Sequence, residues 1–219
     1  SMLSDDGIST DGIKTIDDHN TLVKIRFYGS RESLLDNPQI LLQADRGPIE
    51  QAPEEISDVL CKEAESSLSN SCALVISDYD KGSINVSGAS SLISTARKKK
   101  IPVIVDPKLT GLEISRGATA VLVERRGMEL MRRRLECEDS ISAAKELIST
   151  YEWDALVVLG GIDGITLYQS NSEVLHYPCN SPSPKQQIGL HDAASTALAL
   201  ALGHGHSMED AALLVAAAC

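Results

Sequence analysis

The segment Gly189-Leu190-His191-Asp192 leads into an apolar run, Ala193 to Leu202. A glycine turn that opens an alanine- and leucine-rich helix presents backbone N–H groups that can bind a phosphate. Asp192 falls in the first turn of that helix, beside the anion site. Phosphoryl transfer to an alcohol needs this pair of features, because a carboxylate accepts the hydroxyl proton while dipoles stabilise the developing charge. The competing interpretation is an aspartate that only caps an ordinary helix.

The composition limits the fold and the partners. The 219 residues are 42% hydrophobic but only 3% aromatic, so the core must consist of aliphatic side chains, which suits a parallel sheet covered by helices. A net charge of −11 disfavours nucleic acid and anionic membranes as partners.

The cysteines and histidines do not form a metal-binding pattern. The five cysteines are scattered, odd in number and without C-x-x-C spacing, which disfavours metal sites and disulfides and suits a reducing cytoplasm. His204 and His206 have no acids or cysteines close by, so a solvated turn is favoured over a metal site. We find no membrane-length apolar run and no signal peptide, so we expect a cytoplasmic protein.

Strands and helices alternate along most of the chain. Residues 1–20 are polar and acidic and predict a flexible lead-in, and residues 21–28 and 39–44 predict two strands joined by turn residues. Further strands are predicted at 73–77, 101–105, 119–123 and 155–159, with a hairpin at 165–168 and 174–177. Helices are predicted from 53 and at 87–100, 125–135, 141–151, 192–202 and 208–218. This pattern favours an α/β fold, an open and mostly parallel sheet with helices on both faces.

Charged residues or glycines follow four successive strands of that predicted sheet. The segments are Ser77 to Gly82, Asp106-Pro107-Lys108, Glu124-Arg125-Arg126 and Gly160 to Gly164. Ligands of such sheets bind beyond the carboxyl ends of the strands. Loops are usually polar whatever their function, but polar segments after four successive strands favour a ligand-binding edge of the sheet.

These segments together resemble the ribokinase-type (PfkB) sugar kinases. The resemblance rests on S-D-Y-D-K-G at 77–82, V-D-P-K at 105–108 and R-G-A-T at 116–119, and it is strongest to the branch that phosphorylates heptose 7-phosphate. It runs from about Gly12 to Cys219. It implies a ribokinase-like α/β domain over 48–219 with a small β lid at 21–47. The family's first sheet strands have no counterpart, so we expect the domain to be incomplete at its N-terminus.

The resemblance also implies an activity, the transfer of the γ-phosphoryl group of ATP to a sugar hydroxyl with Mg²⁺ on the nucleotide phosphates. Asp192 matches the family's base, and Gly189 matches the first glycine of its anion hole. The expected ligands are a sugar phosphate and a nucleotide.

Other positions are expected to contact the nucleotide. Gly161 and Gly164 match glycines that pass near it in the family. Lys81 and Lys108 lie at the sheet edge, where a cation could meet phosphate. Glu124 lies in the segment that matches P-N-x-x-E, which helps the family to organise magnesium and phosphate.

The motifs also depart from the family pattern. Leu190 and His191 replace the alanine and second glycine of G-A-G-D, and Gln186 replaces the acidic residue that opens that motif. In P-N-x-x-E, Glu124 replaces the asparagine and Gly127 the glutamate. A side chain at position 191 is expected to strain the turn or fill the phosphate pocket, unless the imidazole donates to phosphate.

Two classes of function stay open. One is a sugar kinase, and the other is a kinase-like domain that has lost turnover and acts as a binding or scaffolding module. A dinucleotide-binding domain is disfavoured, because Gly160-Gly161-x-x-Gly164 is not G-x-G-x-x-G and a hairpin follows it. Strand edges exposed in the lid predict self-association, as a homodimer.

Overall fold

The computed structural model describes residues 2–17, 20–29, 39–47, 52–170, 172–179 and 189–219. The chain divides into two compact units, Ser1–Pro53 and Glu54–Cys219. The predicted turn between the first two strands and the substitution at Gln186 both lie outside the described residues.

The first unit contains a short helix and a two-stranded ribbon. Helix α1 (Met2–Asp5) precedes strands β1 (Val23–Gly29) and β2 (Gln39–Arg46), which pair antiparallel with a bulge between Phe27 and Tyr28. The bulge lies close to the last residues of β1 and the first residues of β2, which pair with each other. Large apolar side chains of this ribbon are exposed, among them Phe27, Tyr28, Ile40, Leu41 and Leu42.

The second unit is a six-stranded sheet with helices on both faces, as the sequence predicts. Its strands lie in chain order and are β3 (Leu74–Ser77), β4 (Val103–Asp106), β5 (Ala120–Glu124), β6 (Ala155–Leu159), β7 (Ile165–Gln169) and β8 (Leu175–Tyr177). The first four are parallel, and the predicted hairpin adds β7 and β8 antiparallel. The helices are α2 (Glu54–Ser67), α3 (Val86–Lys98), α4 (Arg125–Arg134), α5 (Ser140–Tyr151), α6 (Leu190–Gly203) and α7 (Met208–Ala218). None of these described helices has the length and apolarity needed to cross a bilayer.

Alternate residues of the central strands contact different helix layers. Val121 and Val123 of β5 pack in the core cluster that includes α3, α4 and α5. Ala120 and Leu122 of the same strand pack in the cluster that includes α6 and α7. Both faces are buried, because side chains alternate with a period of two along a strand. This double burial explains why the strands appear in the sequence as continuous apolar runs.

The helices differ in how their N-termini are capped. Asn85 accepts a hydrogen bond from Gly88 N at the start of α3, and Asp139 accepts one from Ser142 N at the start of α5. Ser207 does the same for Asp210 N at the start of α7. At α6 the N-cap residue is Gly189, so no capping side chain satisfies the first N–H groups there. Those groups remain available to a ligand.

Candidate active site

A cavity of about 380 Å³ lies where β4 and β5 end and α6 begins. The described residues that line it include Tyr79, Asp106, Lys108, Glu124, Arg126, Gly189, His191 and Asp192. The carboxyl ends of two neighbouring parallel strands therefore meet the start of a helix at one site, as expected for ligand binding in an open α/β sheet.

Gly189 opens this site by its backbone conformation. Its φ of +85° lies in the left-handed region, and a Cβ built on it would meet no atom within 4 Å. Glycine is therefore required here by the turn and not by a lack of space. The Gly189 carbonyl accepts a hydrogen bond from Ala193 N at 2.8 Å, which closes the first turn of α6. The predicted glycine turn and helix start are both present, and phosphate binding by them stays a prediction.

Asp192 is the third residue of α6 and lies in the cavity wall. Its main-chain carbonyl accepts hydrogen bonds from Ser195 Oγ at 3.1 Å and Thr196 Oγ1 at 2.7 Å, which fix the backbone that carries the side chain. Burial raises the pKa of Tyr79, and the negative charges of Asp192 and Asp106 raise it further. Asp192 and Asp106 therefore both lie close enough to Tyr79 for their charges to act on its hydroxyl group, and Asp192 is exposed.

His191 fills part of the cavity and lies between two carboxylates. Its Nδ1 is 2.8 Å from Asp106 Oδ1, and its Nε2 is 3.3 Å from Glu124 Oε1. The Nε2 atom is buried, and its geometry towards Glu124 is not that of a hydrogen bond. The hydrogen bond with Asp106 raises the pKa of His191, and the charges of Asp106 and Glu124 add to this against the opposing effect of burial. The ring is therefore favoured in its imidazolium form.

The two lysines that the sequence singles out are placed differently. Lys108 lines the cavity, and its Nζ lies 4.8 Å from the centroid of the Tyr79 ring. This position lets a cation–π contact hold the ammonium group at the cavity wall. Lys81 is exposed and is not among the described residues that line this cavity. One of the two predicted cations thus lines the same cavity as Asp192.

Gly161 begins a short 3-10 turn after β6, and Gly164 follows this turn. Gly164 has a φ of +82°, and a Cβ there would lie 2.1 Å from Tyr177 O, so only glycine fits against β8. Gly164 lines a second cavity, of about 650 Å³, together with Arg125, Asp163 and Thr166. The structure does not bring these glycines to the described wall of the cavity that holds Asp192, and their contact with a nucleotide stays a prediction.

Two residues of the cavity were quoted in the sequence motifs but given no role there. Asp106 ends β4, and Tyr79 follows β3 by two residues. The sequence signal that could have singled them out is their position just after a strand at the ligand-binding edge. Asp78 is also buried, and burial raises its pKa, while Lys108 lowers it by its charge.

The donor groups of the cavity suit a phosphate better than a protein-bound metal ion. The uncapped start of α6 and Lys108 both attract an anion. Carboxylate oxygens are the ligands that Mg²⁺ prefers, but those of Asp106 and Glu124 both face His191. Among the described residues, no three His, Cys, Asp or Glu side chains are grouped to hold a metal ion. The described groups of this cavity are compatible with a phosphate, and binding of a nucleotide and of Mg²⁺ here stays a prediction.

A curated relative covers almost all of this chain. The bifunctional protein HldE of Actinobacillus succinogenes is 31% identical over 215 residues, which are 97% of this chain and 42% of that protein. The chain therefore spans less than half the length of this relative.

Solved structures share the fold. The ribokinase of Arabidopsis thaliana in complex with ribose and ATP has a TM-score of 0.64 at 14% identity, with 96% of this chain and 65% of that one covered. The tetrameric inhibited form of phosphofructokinase-2 from Escherichia coli has a TM-score of 0.62 at 20% identity, with 81% and 60% covered. The family model of the pfkB family carbohydrate kinases matches residues 1–219, and so the chain belongs to that family.

Proposed function

We propose that this chain provides the phosphoryl-transfer site of an ATP-dependent sugar kinase, with Asp192 as the general base. One observation carries the proposal. Asp192 lies in the first turn of α6, in the wall of the same cavity as the uncapped helix start at Gly189. A proton acceptor and an anion site are thereby adjacent, as transfer of phosphate to an alcohol requires.

Each group of the cavity has a part in this reaction. The N–H groups at the start of α6 bind the terminal phosphate of ATP and stabilise the charge that develops on it. Lys108 adds a positive charge at the cavity wall. Asp192 accepts the proton of the attacking sugar hydroxyl. When bound with the nucleotide, Mg²⁺ would supply positive charge to its phosphates.

The proposed acceptor is a sugar phosphate similar to heptose 7-phosphate. The motifs at 77–82 and 105–108 support it, since they are the segments that resemble the heptose 7-phosphate branch. Tyr79 from the first motif and Lys108 from the second both line the cavity. Arg126, which also lines the cavity, supplies the positive charge that an anionic sugar needs.

The same site favours slow turnover. His191 places an imidazole at the cavity wall at the position where the family motif has glycine. The ring takes space beside the helix start, and displacement of a reacting group by about 1 Å can reduce the rate by about 10². We therefore expect a kinase that is slower than relatives with G-A-G-D, and a non-catalytic binding module is the outcome if turnover is absent.

We further propose that the chain forms a homodimer through its β1–β2 ribbon. Leu41 is 72% exposed and Leu42 is 58% exposed on β2, so the ribbon presents apolar surface to solvent. Phosphofructokinase-2 from Escherichia coli, which shares the fold, is tetrameric in its inhibited form, and this is consistent with self-association here. The cytoplasmic location expected from the sequence stays a prediction.

A coupled assay that measures ADP formation by the protein tests the kinase proposal. With ATP, Mg²⁺ and heptose 7-phosphate, Asp192→Asn should reduce kcat by about 10²–10⁴ while ADP affinity stays within about twofold, because the proton acceptor is lost and the phosphate site is not. Asp154→Asn, at an exposed aspartate that pairs with Arg97, is the matched control and should retain the wild-type rate.

Three outcomes are informative. Equal rates for wild type and Asp192→Asn remove Asp192 from the mechanism. ADP binding without any turnover by the wild type supports the non-catalytic module. An absence of both ADP binding and turnover contradicts the kinase proposal.

A further inference from the structure

Tyr79 and Lys108 lie at equivalent positions after two neighbouring strands. Strands β3 and β4 pair in parallel, and Ser77 is the register partner of Asp106. Tyr79 and Lys108 each follow this pair by two residues, so both lie beyond the same edge of the sheet. Lys108 Nζ is 4.8 Å from the centroid of the Tyr79 ring, and both residues line the cavity that contains Asp192.

Hydrogen bonds hold the two loops that carry these residues. Asp78 Oδ1 accepts a hydrogen bond from Asp80 N at 2.9 Å, which fixes the backbone on both sides of Tyr79. Thr110 Oγ1 donates to Asp80 Oδ2 at 3.1 Å and thereby joins this loop to the loop after β4. The ring is therefore held at a defined place relative to the backbone of Lys108.

The ammonium group of Lys108 contacts an aromatic ring although carboxylates lie nearby. Its charge is close enough to lower the pKa of Asp78, against the larger effect of burial, which raises that pKa. Asp106 lines the same cavity. Among the described residues, however, no carboxylate forms an ion pair with Lys108. A ring attracts a cation through its quadrupole and leaves the charge uncompensated, whereas a carboxylate would neutralise it.

The Tyr79 side chain has no role in the hydrophobic core. It is 50% exposed, and Lys108 is exposed as well. Among the described residues that line the cavity, Tyr79 is the one phenylalanine, tyrosine or tryptophan. A large ring at the wall of a polar cavity buries little apolar surface, so its contact with a cation is what its position explains.

We propose that Tyr79 is a positioning residue that acts through Lys108. The face of its ring holds the ammonium group apart from the carboxylates of the cavity, so that the charge of Lys108 acts on the phosphate of a bound nucleotide. The ring and not the hydroxyl group has this role, because the ammonium group lies over the ring. The inference rests on the proposed function, since it needs a phosphate in the cavity.

Isothermal titration calorimetry with ADP separates the ring from the hydroxyl group. Tyr79→Phe keeps the ring and should bind ADP within about twofold of the wild type. Tyr79→Leu removes the ring and should weaken ADP binding by about 3–10-fold, the size expected for a cation–π contact at a partly exposed site. When Tyr79→Leu is added to Lys108→Gln, which has no ammonium group to hold, the affinity should change by less than about twofold.

A second measurement needs no ligand. The ring current of Tyr79 should shift the NMR signals of the Lys108 ε-methylene protons upfield in the wild type and in Tyr79→Phe, but not in Tyr79→Leu. Tyr151→Leu is the matched control, because it removes a ring that lies 5.5 Å from Arg116 Cζ and is not among the described residues of the cavity wall. It should change neither the ADP affinity nor the Lys108 signals. Circular dichroism checks the folding of each variant, and Tyr79→Ala is a second replacement without a ring.

Three results would overturn the inference and leave the kinase proposal standing. The first is an ADP affinity of Tyr79→Leu equal to that of the wild type. The second is a loss in Tyr79→Phe as large as that in Tyr79→Leu, which would assign the role to the hydroxyl group. The third is an equal effect of Tyr79→Leu with and without Lys108→Gln, which would show that the ring acts independently of the lysine.

A different result separates the failure of the kinase proposal. If the wild type shows the ring-current shift but binds no ADP, the ring holds the ammonium group and the cavity is not a nucleotide site. That result contradicts the kinase proposal, and it overturns the role of Tyr79 in phosphate binding for that reason alone.

Discussion

His191 Nδ1 lies 2.8 Å from Asp106 Oδ1, so that the start of α6 is joined to the end of β4 across 85 positions of sequence. The contact shows whether the side chain at position 191 strains the turn that opens α6 or fills the cavity. Residue 191 lies within α6 and does not have a positive φ, so the turn is not strained there. The imidazole instead fills part of the cavity and pairs with carboxylates.

The pH dependence of folding should report this contact. Since the pKa of His191 is raised in the folded chain, the imidazolium contributes stability that is complete below its unfolded pKa of about 6.5. That contribution is lost as the pH rises through the folded pKa. Asp106→Asn removes the main cause of the shift, so the pKa of His191 should fall. NMR titration of the imidazole in both proteins measures this, and a wild-type ring that titrates at 6.5 or below would contradict it.

Lys108 and Lys81 should differ in their effect on ligand binding. Lys108→Gln should weaken ADP binding by about tenfold or more, because a charge-assisted contact with phosphate contributes about 1.5–3 kcal/mol. Lys81→Gln should change the affinity by less than about twofold, since this exposed side chain does not line the described cavity wall. Isothermal titration calorimetry gives both affinities, and a larger loss in Lys81→Gln would reverse the assignment.

Gly164→Ala should destabilise the chain more than Gly205→Ala. The two glycines have nearly the same φ, +82° and +83°, but a Cβ at Gly164 would lie 2.1 Å from Tyr177 O, whereas one at Gly205 meets nothing within 4 Å. The backbone strain alone costs about 1–2 kcal/mol, and overpacking adds about 1–3 kcal/mol at Gly164. Urea denaturation compares the free energies of unfolding, and equal losses would show that the clash is relieved.

Two leucines of α6 test its packing on the sheet. Leu198 is completely buried, and Leu200, on the same helix, is 52% exposed. Leu198→Ala should reduce the free energy of unfolding by about 2–5 kcal/mol, because it leaves a cavity between α6 and the strands. Leu200→Ala should cost no more than about 0.5 kcal/mol. Urea denaturation measures both free energies of unfolding. Similar losses for the two variants would show that α6 does not pack on the sheet through Leu198.

The β1–β2 ribbon should mediate self-association. Leu41→Lys places a charge on the most exposed large apolar side chain of this ribbon, so it should convert a dimer to a monomer at micromolar concentration. Multi-angle light scattering measures the mass of each species. A wild type that is strictly monomeric would contradict the dimer proposal.

The fold class and the start of α6 could be predicted from the sequence because they depend on local patterns. Alternating apolar runs and helical segments indicate an α/β sheet with helices on both faces. Gly189 and Asp192 are three residues apart, so one helical turn brings the positive-φ glycine and the carboxylate to the same helix end. No distant contact is needed for that arrangement.

Only the tertiary structure decided which distant residues share the cavity. The pairing of His191 with Asp106 and Glu124 depends on how α6 lies over the ends of two strands, and no sequence spacing encodes that distance. The same applies to the two lysines, since Lys108 but not Lys81 is directed to the cavity. Side-chain contacts of this kind are set by strand order and helix packing, which the chain fixes through many small non-local interactions.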